Sequence, residues 1–303
     1  MKDIVIENIT KTYAKGKVKA LNEVSFSVEQ GELFGLIGPD GAGKTSLFRI
    51  LTTLLLADNG QASVAGYDVI KQYREIRKIA GYMPGRFALY PDLTVEENLN
   101  FFATVFHTSV AENYELIRDI YVQIEPFKTR LAKKLSGGMK QKLALCCALI
   151  HRPRVLFLDE PTTGVDPVSR KEFWEMLRRL KEQNLTILVS TPYMDEAALC
   201  DQIVLINQGN ILDINSPQQI IHKFGRVLWS VQAGQMYQLL HDLRDYPHTQ
   251  SCFSFGESHH LVLKDDQIGY QEILAFLQSK GHQGLHIQKI EPTIEDCFMA
   301  LAT

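Results

Sequence analysis

A chain of 303 residues, 45 % hydrophobic and 22 % charged, has ordinary globular composition and is long enough for one large core and a smaller second unit. Its net charge of −3 gives no reason to expect nucleic acid, and no stretch approaches the roughly 18 consecutive apolar residues of a membrane span. The opening Met1-Lys2-Asp3-Ile4-Val5-Ile6-Glu7 alternates like a short strand and does not have the form of a signal peptide, so a soluble chain is expected. Cys146, Cys147, Cys200, Cys252 and Cys297 form no C-x-x-C pair and no metal-ligand spacing with histidine, which predicts buried thiols in a reducing compartment.

Residues 4–28 read as short strands around the turn Ala14-Lys15-Gly16-Lys17. The apolar strand Leu33-Phe34-Gly35-Leu36-Ile37 then leads into Gly38-Pro39-Asp40-Gly41-Ala42-Gly43-Lys44-Thr45, which fits the P-loop pattern and opens a helix at Ser46. In such a loop backbone amides cradle phosphates, Lys44 supplies a point charge, and Thr45 offers a hydroxyl to Mg²⁺. From Pro91 the pattern turns helical: Thr94-Val95-Glu96-Glu97 is a capping box, and Leu99, Phe102, Val105 and Phe106 recur at helical spacing. Within this insert Leu135-Ser136-Gly137-Gly138-Met139-Lys140-Gln141 is a second phosphate-binding device, with two glycines ahead of a helix expected at 140–150. One chain carrying two such grips suggests that two chains share each nucleotide.

Sheet character returns at Val155-Leu156-Phe157-Leu158, which delivers Asp159 and Glu160 at its end. Asp159 is placed to hold Mg²⁺ and Glu160 to polarise an attacking water; the competing reading makes one of them a helix N-cap. A helix is expected over 169–183 and a strand over 185–189. Strands and helices alternating around a P-loop predict a doubly wound α/β core interrupted by a helical subdomain. After Gly225 the order βαββαβ predicts a ferredoxin-like unit with a last helix capped near Thr293.

The P-loop, the LSGGMKQ stretch, Leu156-Phe157-Leu158-Asp159-Glu160-Pro161 and Gly164-Val165-Asp166-Pro167, in that order, closely resemble the nucleotide-binding subunit of ATP-binding cassette (ABC) proteins over residues 1–220. The resemblance implies a RecA-like ABC ATPase domain at 1–222, with its helical subdomain at about 88–150, and the ferredoxin-like order makes 226–303 a separate α+β accessory domain. It implies ATP and Mg²⁺ as cofactors and a head-to-tail dimer in which the signature of one cassette completes the site of the other. Carried over residue by residue, residues 38–46 hold the nucleotide and Tyr13 stacks on adenine, unless Tyr13 simply packs in the core. In trans, Ser136, Gly137 and Gly138 hold the γ-phosphate, Gln141 also belongs to that nucleotide site, and Asp166 lies in the loop joining the sites. Thr45 and Asp159 serve the metal and Glu160 is the catalytic base.

Two positions depart from the family. Gly85 stands where the family has a glutamine, and Pro192 where it has a histidine that binds the γ-phosphate. Neither offers a polar side chain, so ATP binding with slow hydrolysis is expected at the chain's own site. His107 and His151 align with neither position. Phe87, Tyr90, Phe101, Phe102 and Phe106 either pack in the core or line a groove for a membrane partner's helix.

The leading function is therefore an ATPase subunit powering a separate membrane permease from the cytoplasmic face. Residues 209–217 and the ending Glu291-Pro292-Thr293-Ile294-Glu295-Asp296-Cys297-Phe298 resemble bacterial efflux cassettes with ABC-2-type permeases. A second cassette is expected, a heterodimer being favoured over a homodimer because a complete partner would supply the missing groups. The alternative is a nucleotide-gated regulatory or assembly module without useful turnover. A ribosome- or chromosome-acting cassette is disfavoured, since only one P-loop is present and the 45–135 interval lacks sustained heptads.

Overall fold

The computed structural model describes residues 1–14, 16–86 and 88–302; Lys15 of the first turn and Phe87 of the aromatic set lie outside the described residues. The chain divides into two compact units, Met1–Pro217 and Gln218–Thr303.

In the first unit β1 (Lys2–Tyr13) and β2 (Val18–Glu29) pair antiparallel as 12-residue strands, longer than the short strands expected from sequence. Register shifts keep them paired past their irregular positions. Asn8 and Glu23 both adopt φ 52°, and the Asn8 amide donates to Ser25 Oγ at 2.8 Å. After β3 (Leu33–Ile37) and α1 (Lys44–Leu51), the short strands β4 (Asn59–Val64) and β5 (Tyr67–Asp68) extend this sheet in the order β2-β1-β4-β5.

Next come α2 (Tyr73–Ile79), β6 (Ala80–Met83) and the helical insert of α3 (Val95–Val105), α4 (Tyr114–Tyr121) and α5 (Gly137–Leu149). The capping box of α3 is present, with Thr94 and Glu97 each bonded to the other's backbone amide. The core resumes with β7 (Val155–Asp159), α6 (Pro167–Glu182), β8 (Thr186–Thr191), the single turn α7 (Met194–Ala197), and the hairpin β9 (Gln202–Asn207) and β10 (Asn210–Asn215). The second sheet runs β10-β9-β3-β8-β7-β6 and is parallel except for β10 on β9. Every residue of β3, β7 and β8 is buried, as continuous apolar runs require when helices cover both faces.

Three boundaries differ from the sequence expectation for local reasons. The helix after the glycine pair begins at Gly137, not residue 140, because Ser136 Oγ caps it by accepting from the Met139 amide. The helix expected from 169 begins at Pro167, because Asp166 accepts from the Ser169 amide and proline suits a first helical position. The β9-β10 hairpin occupies what read only as an exit segment; Gln208 at φ 49° and Gly209 at φ 78° make its two-residue turn.

The second unit opens with α8 (Pro217–Lys223), whose Ile220 is buried and accepts from Cys297 Sγ at 3.6 Å. This helix thus belongs with the following residues, whereas the expected first domain ran to 222. Then come β11 (Leu228–Gln232), α9 (Met236–Asp245), β12 (Thr249–Phe255), β13 (Ser258–Leu263), α10 (Tyr270–Ser279), β14 (His286–Ile290) and α11 (Ile294–Ala302). The strand order β12-β13-β11-β14, all antiparallel, is the ferredoxin-like plan. Its core gathers Trp229, Val231, Leu239, Leu261, Ile273 and Leu277, and the Thr293 hydroxyl accepts from the Asp296 amide at the start of α11.

All five cysteines are free and buried, and burial raises the Cys252 thiol to about 12. No helix among the described residues is long and apolar enough to cross a membrane.

The two sheets of the first unit are tied by a buried charge. The fully buried Asp3 carboxylate on β1 accepts from Thr186 Oγ1 on β8 and from Arg154 Nη2 just before β7, each at 2.6 Å. Asp3→Ala strands both donors and is expected to cost about 3 kcal/mol, seen as a lower urea midpoint at unchanged m.

Candidate active site

The phosphate loop joins β3 to α1 at the carboxyl ends of the parallel strands, where open α/β sheets place their ligands. Its glycines are dictated by space. A Cβ at Gly38 would stand 2.1 Å from the Ile206 carbonyl oxygen, and one at Gly43, at φ 105°, 2.1 Å from that of Ala20. Asp40 and Gly41 are exposed at the tip, Pro39 is half-buried, and Ala42 is buried beneath them.

Lys44 is buried within this loop. Its Nζ donates to the carbonyls of Gly38 at 2.8 Å and Pro39 at 3.0 Å and pairs with Glu160 Oε1 at 3.0 Å. A phosphate seated on the loop would compete for this ammonium and release Glu160 to act on water. Thr45 Oγ1 donates to Asp159 Oδ1 at 3.2 Å, and Tyr13 Oη lies 3.1 Å from Ser46 Oγ with its ring 38 % exposed. Tyr13 thus stands at the rim of the loop rather than in the core.

Neither carboxylate at the end of β7 is a helix cap; Asp166 takes that role for α6. Asp159 is buried, while Glu160 takes the left-handed backbone at φ 52°, a strained choice for a non-glycine residue. The strain is held by β8, which lies between β3 and β7. The Glu160 amide donates to Ser190 Oγ at 3.0 Å and to the Ser190 carbonyl at 3.1 Å.

The signature stands at the start of α5. Ser136 caps that helix, Gly138 is buried, Gln141 is half-buried, and a Cβ on Gly138 would meet Ser169 Oγ at 2.6 Å. The free amides of Gly137 and Gly138 lie at the positive end of the helix dipole, which suits an anion. Asp166, exposed at the head of α6, is held below the usual carboxylate range by the Ser169 amide.

At Gly85 a Cβ would fall 2.9 Å from the Asp159 carbonyl oxygen, so backbone occupies the space a side chain would need. Pro192 follows β8 directly, between Thr191 and a Tyr193 whose amide donates to Thr191 Oγ1 at 3.1 Å. A cluster invisible in the motifs surrounds this loop. Buried Glu196 accepts from Thr191 Oγ1 at 2.5 Å, Thr162 Oγ1 at 2.8 Å and Arg170 Nε at 3.1 Å.

Beside Gly85 a groove of about 300 Å³ is lined by Tyr82, Met83, Leu89, Phe102, Phe106 and His151. Of the expected aromatics, Phe102 and Phe106 line it, while Tyr90 and Phe101 pack edge-on at 4.6 Å and remain 45 % and 39 % exposed. His107 is exposed past α3, whereas His151 stacks on Phe106 at 3.8 Å and contacts the Ala80 carbonyl at 3.2 Å.

Ser190, Thr162, Thr191, Glu196 and Arg170 were missed by sequence reasoning. The usable signal was the hydroxyl pair Ser190-Thr191 closing an apolar strand at the sheet edge that also carries Asp159.

Burial pushes His151 down from 6.5 to about 4, so the unfolded chain takes up this proton first as pH falls. The contribution of His151 to stability is expected to be complete above 6.5 and lost as pH falls through about 4. Urea midpoints at stepped pH check this, and His151→Gln should flatten that part of the profile.

The family model described as "ABC transporter" matches residues 21–163. The chain is 38 % identical over 303 residues to the "Probable multidrug ABC transporter ATP-binding protein YbhF" of Escherichia coli, covering 98 % of this chain and 52 % of that one. It thus spans about half the length of that relative. It is 31 % identical over 306 residues to the "Linearmycin resistance ATP-binding protein LnrL" of Bacillus subtilis, covering 97 % and 96 %. The solved "Dimeric Structure of MJ0796, a Bacterial ABC Transporter Cassette" superposes with a TM-score of 0.64 at 25 % identity, over 70 % of this chain and 98 % of that one. With the phosphate loop, the paired carboxylates and the signature each in place, the chain belongs to the ABC transporter family and has the fold of its ATP-binding cassettes.

Proposed function

We propose that this cassette powers a separate membrane permease of the efflux type from the cytoplasmic face. In this reading its own phosphate loop holds ATP with Mg²⁺ and cleaves it slowly, while its signature completes the site of a second cassette. One observation carries the reading: Lys44, Thr45, Asp159 and Glu160 are linked within 3.2 Å, yet the neighbouring Gly85 and Pro192 have no polar side chain.

Mg²⁺ fits the site, since the Thr45 hydroxyl and the Asp159 carboxylate are hard oxygen donors meeting beside the phosphate loop. Bound there, the ion would neutralise charge building on the β- and γ-phosphates. Lys44 carries the other positive charge, Glu160 accepts the proton of the attacking water, and Tyr13 offers its ring at the rim for adenine. Ser136, the amides of Gly137 and Gly138, Gln141 and Asp166 would act on the partner's nucleotide. That assignment is supported by the capped helix start and by the dimeric state named for MJ0796. A heterodimer is favoured, because a partner with a complete site would supply the turnover that this site lacks.

The apolar groove beside Gly85 is of a size for one turn of a permease helix, and Gly85, where a Cβ would stand 2.9 Å from the Asp159 carbonyl oxygen, lines it. Export is supported by the multidrug transport named as probable for YbhF and the linearmycin resistance named for LnrL. A second reading, a nucleotide-gated module without turnover, is favoured by the same Gly85 and Pro192.

Single-turnover cleavage of ATP by the purified chain separates the two. Slow cleavage is expected, and Glu160→Gln should reduce it by a further 100-fold or so while ATP still binds. Pro192→His should raise it by about 10- to 100-fold by restoring a donor. Gly85→Gln alone should give no gain and a lower melting temperature, because its Cβ meets the Asp159 carbonyl. No cleavage at all, with dimerisation intact, would establish the module reading instead.

A further inference from the structure

Ser190 belongs to none of the motifs, yet its hydroxyl touches both acidic residues of the site. It is the penultimate residue of β8, fully buried, and stands directly across from Asp159 in the parallel register. Its Oγ donates to Asp159 Oδ1 at 2.7 Å, the same oxygen that Thr45 Oγ1 reaches at 3.2 Å. The same Oγ accepts the Glu160 amide at 3.0 Å. We propose that Ser190 is a positioning residue for ATP hydrolysis, one hydroxyl that sets the Asp159 carboxylate for the metal and the Glu160 backbone for the base.

Two geometric facts support this over a hydroxyl that merely satisfies itself in a buried strand. Oδ1 is the Asp159 oxygen facing Thr45, so the Ser190 bond fixes that carboxylate's rotation relative to the hydroxyl with which it would share Mg²⁺. Glu160 sits at φ 52°, and among the described residues its amide donates to Ser190, at both the hydroxyl and the carbonyl. That peptide orientation sends the Glu160 side chain to Lys44 at 3.0 Å. Removing the hydroxyl leaves the left-handed residue with one acceptor instead of two, and leaves Asp159 Oδ1 to the longer bond from Thr45. Ser190 thus aids Thr45 in aligning the Asp159 carboxylate and Lys44 in placing Glu160, and its one hydroxyl bonds both residues.

The inference rests on the reading that this site binds and cleaves ATP, and the test distinguishes the two. The full chain and its Ser190→Ala, Ser190→Thr and Ser190→Cys variants are compared by single-turnover ATP cleavage, by the Mg²⁺ concentration that half-saturates ATP binding, and by ATP affinity in EDTA. For Ser190→Ala, cleavage should fall and the Mg²⁺ requirement rise, each by about 10- to 100-fold. Metal-free ATP affinity should stay unchanged, and Ser190→Thr should restore most of both losses. Should the alanine variant not fold, Ser190→Cys, nearly the same size but a weak donor, carries the same expectations. An alanine variant with unchanged cleavage and Mg²⁺ requirement overturns the proposal, as does a loss matched by equal loss of metal-free affinity. If the unsubstituted chain cleaves no ATP, the proposed turnover fails, and the Mg²⁺ requirement alone still decides the role of Ser190.

Discussion

The in-register insertion of β8 between β3 and β7 is the constraint on which the site depends. Ile37 lies across from Thr191 on one side and Asp159 across from Ser190 on the other. The phosphate loop, the carboxylates and the hydroxyl pair therefore end at one level of one sheet edge. A slip of one residue would send Asp159 and Ser190 to opposite faces, and burial on both faces forbids it. Asp3 reinforces the arrangement from the other sheet by holding the first residue of β8.

Charge is handled at this edge by compensation inside the protein. Lys44, nearly without solvent, has two carbonyls and a carboxylate around it, so its charge is solvated by fixed groups before any ligand arrives. The two carbonyls can keep Lys44 in place when phosphates arrive, while Glu160 is the partner that gives way. The strain at Glu160 is the local cost of the same design, sustained by the two bonds its amide makes to β8.

What could be read from sequence was whatever is contiguous in it. The P-loop, the carboxylates after β7, the glycine pair before α5 and the alternation of strands and helices are short-range signals, and they gave the α/β core and the ferredoxin-like order of the second unit. Contacts between distant segments were not legible. Ser190 lies 31 residues from Asp159, and nothing in the run Val189-Ser190-Thr191 says which neighbour its hydroxyls will meet. The hairpin after Asn207 has no clear sequence signal because β10 carries Asn210, Asp213 and Asn215 among its apolar positions. The assignment of α8 depended on a single buried isoleucine and its contact with Cys297.

Glu196 has a consequence for how such a sequence can drift. Its buried carboxylate draws donors from three separate stretches: Thr162 after Asp159 and Glu160, Arg170 on the helix headed by Asp166, and Thr191 at the end of β8. A desolvated charge tolerates losing its partners poorly, and a donor without its charge fares little better. Replacements in these stretches are therefore coupled: the acid and its donors persist together or are exchanged together. Pro192 lies inside that frame, next to Thr191, so a substitution there leaves the bonds that anchor the loop to Glu196 in place.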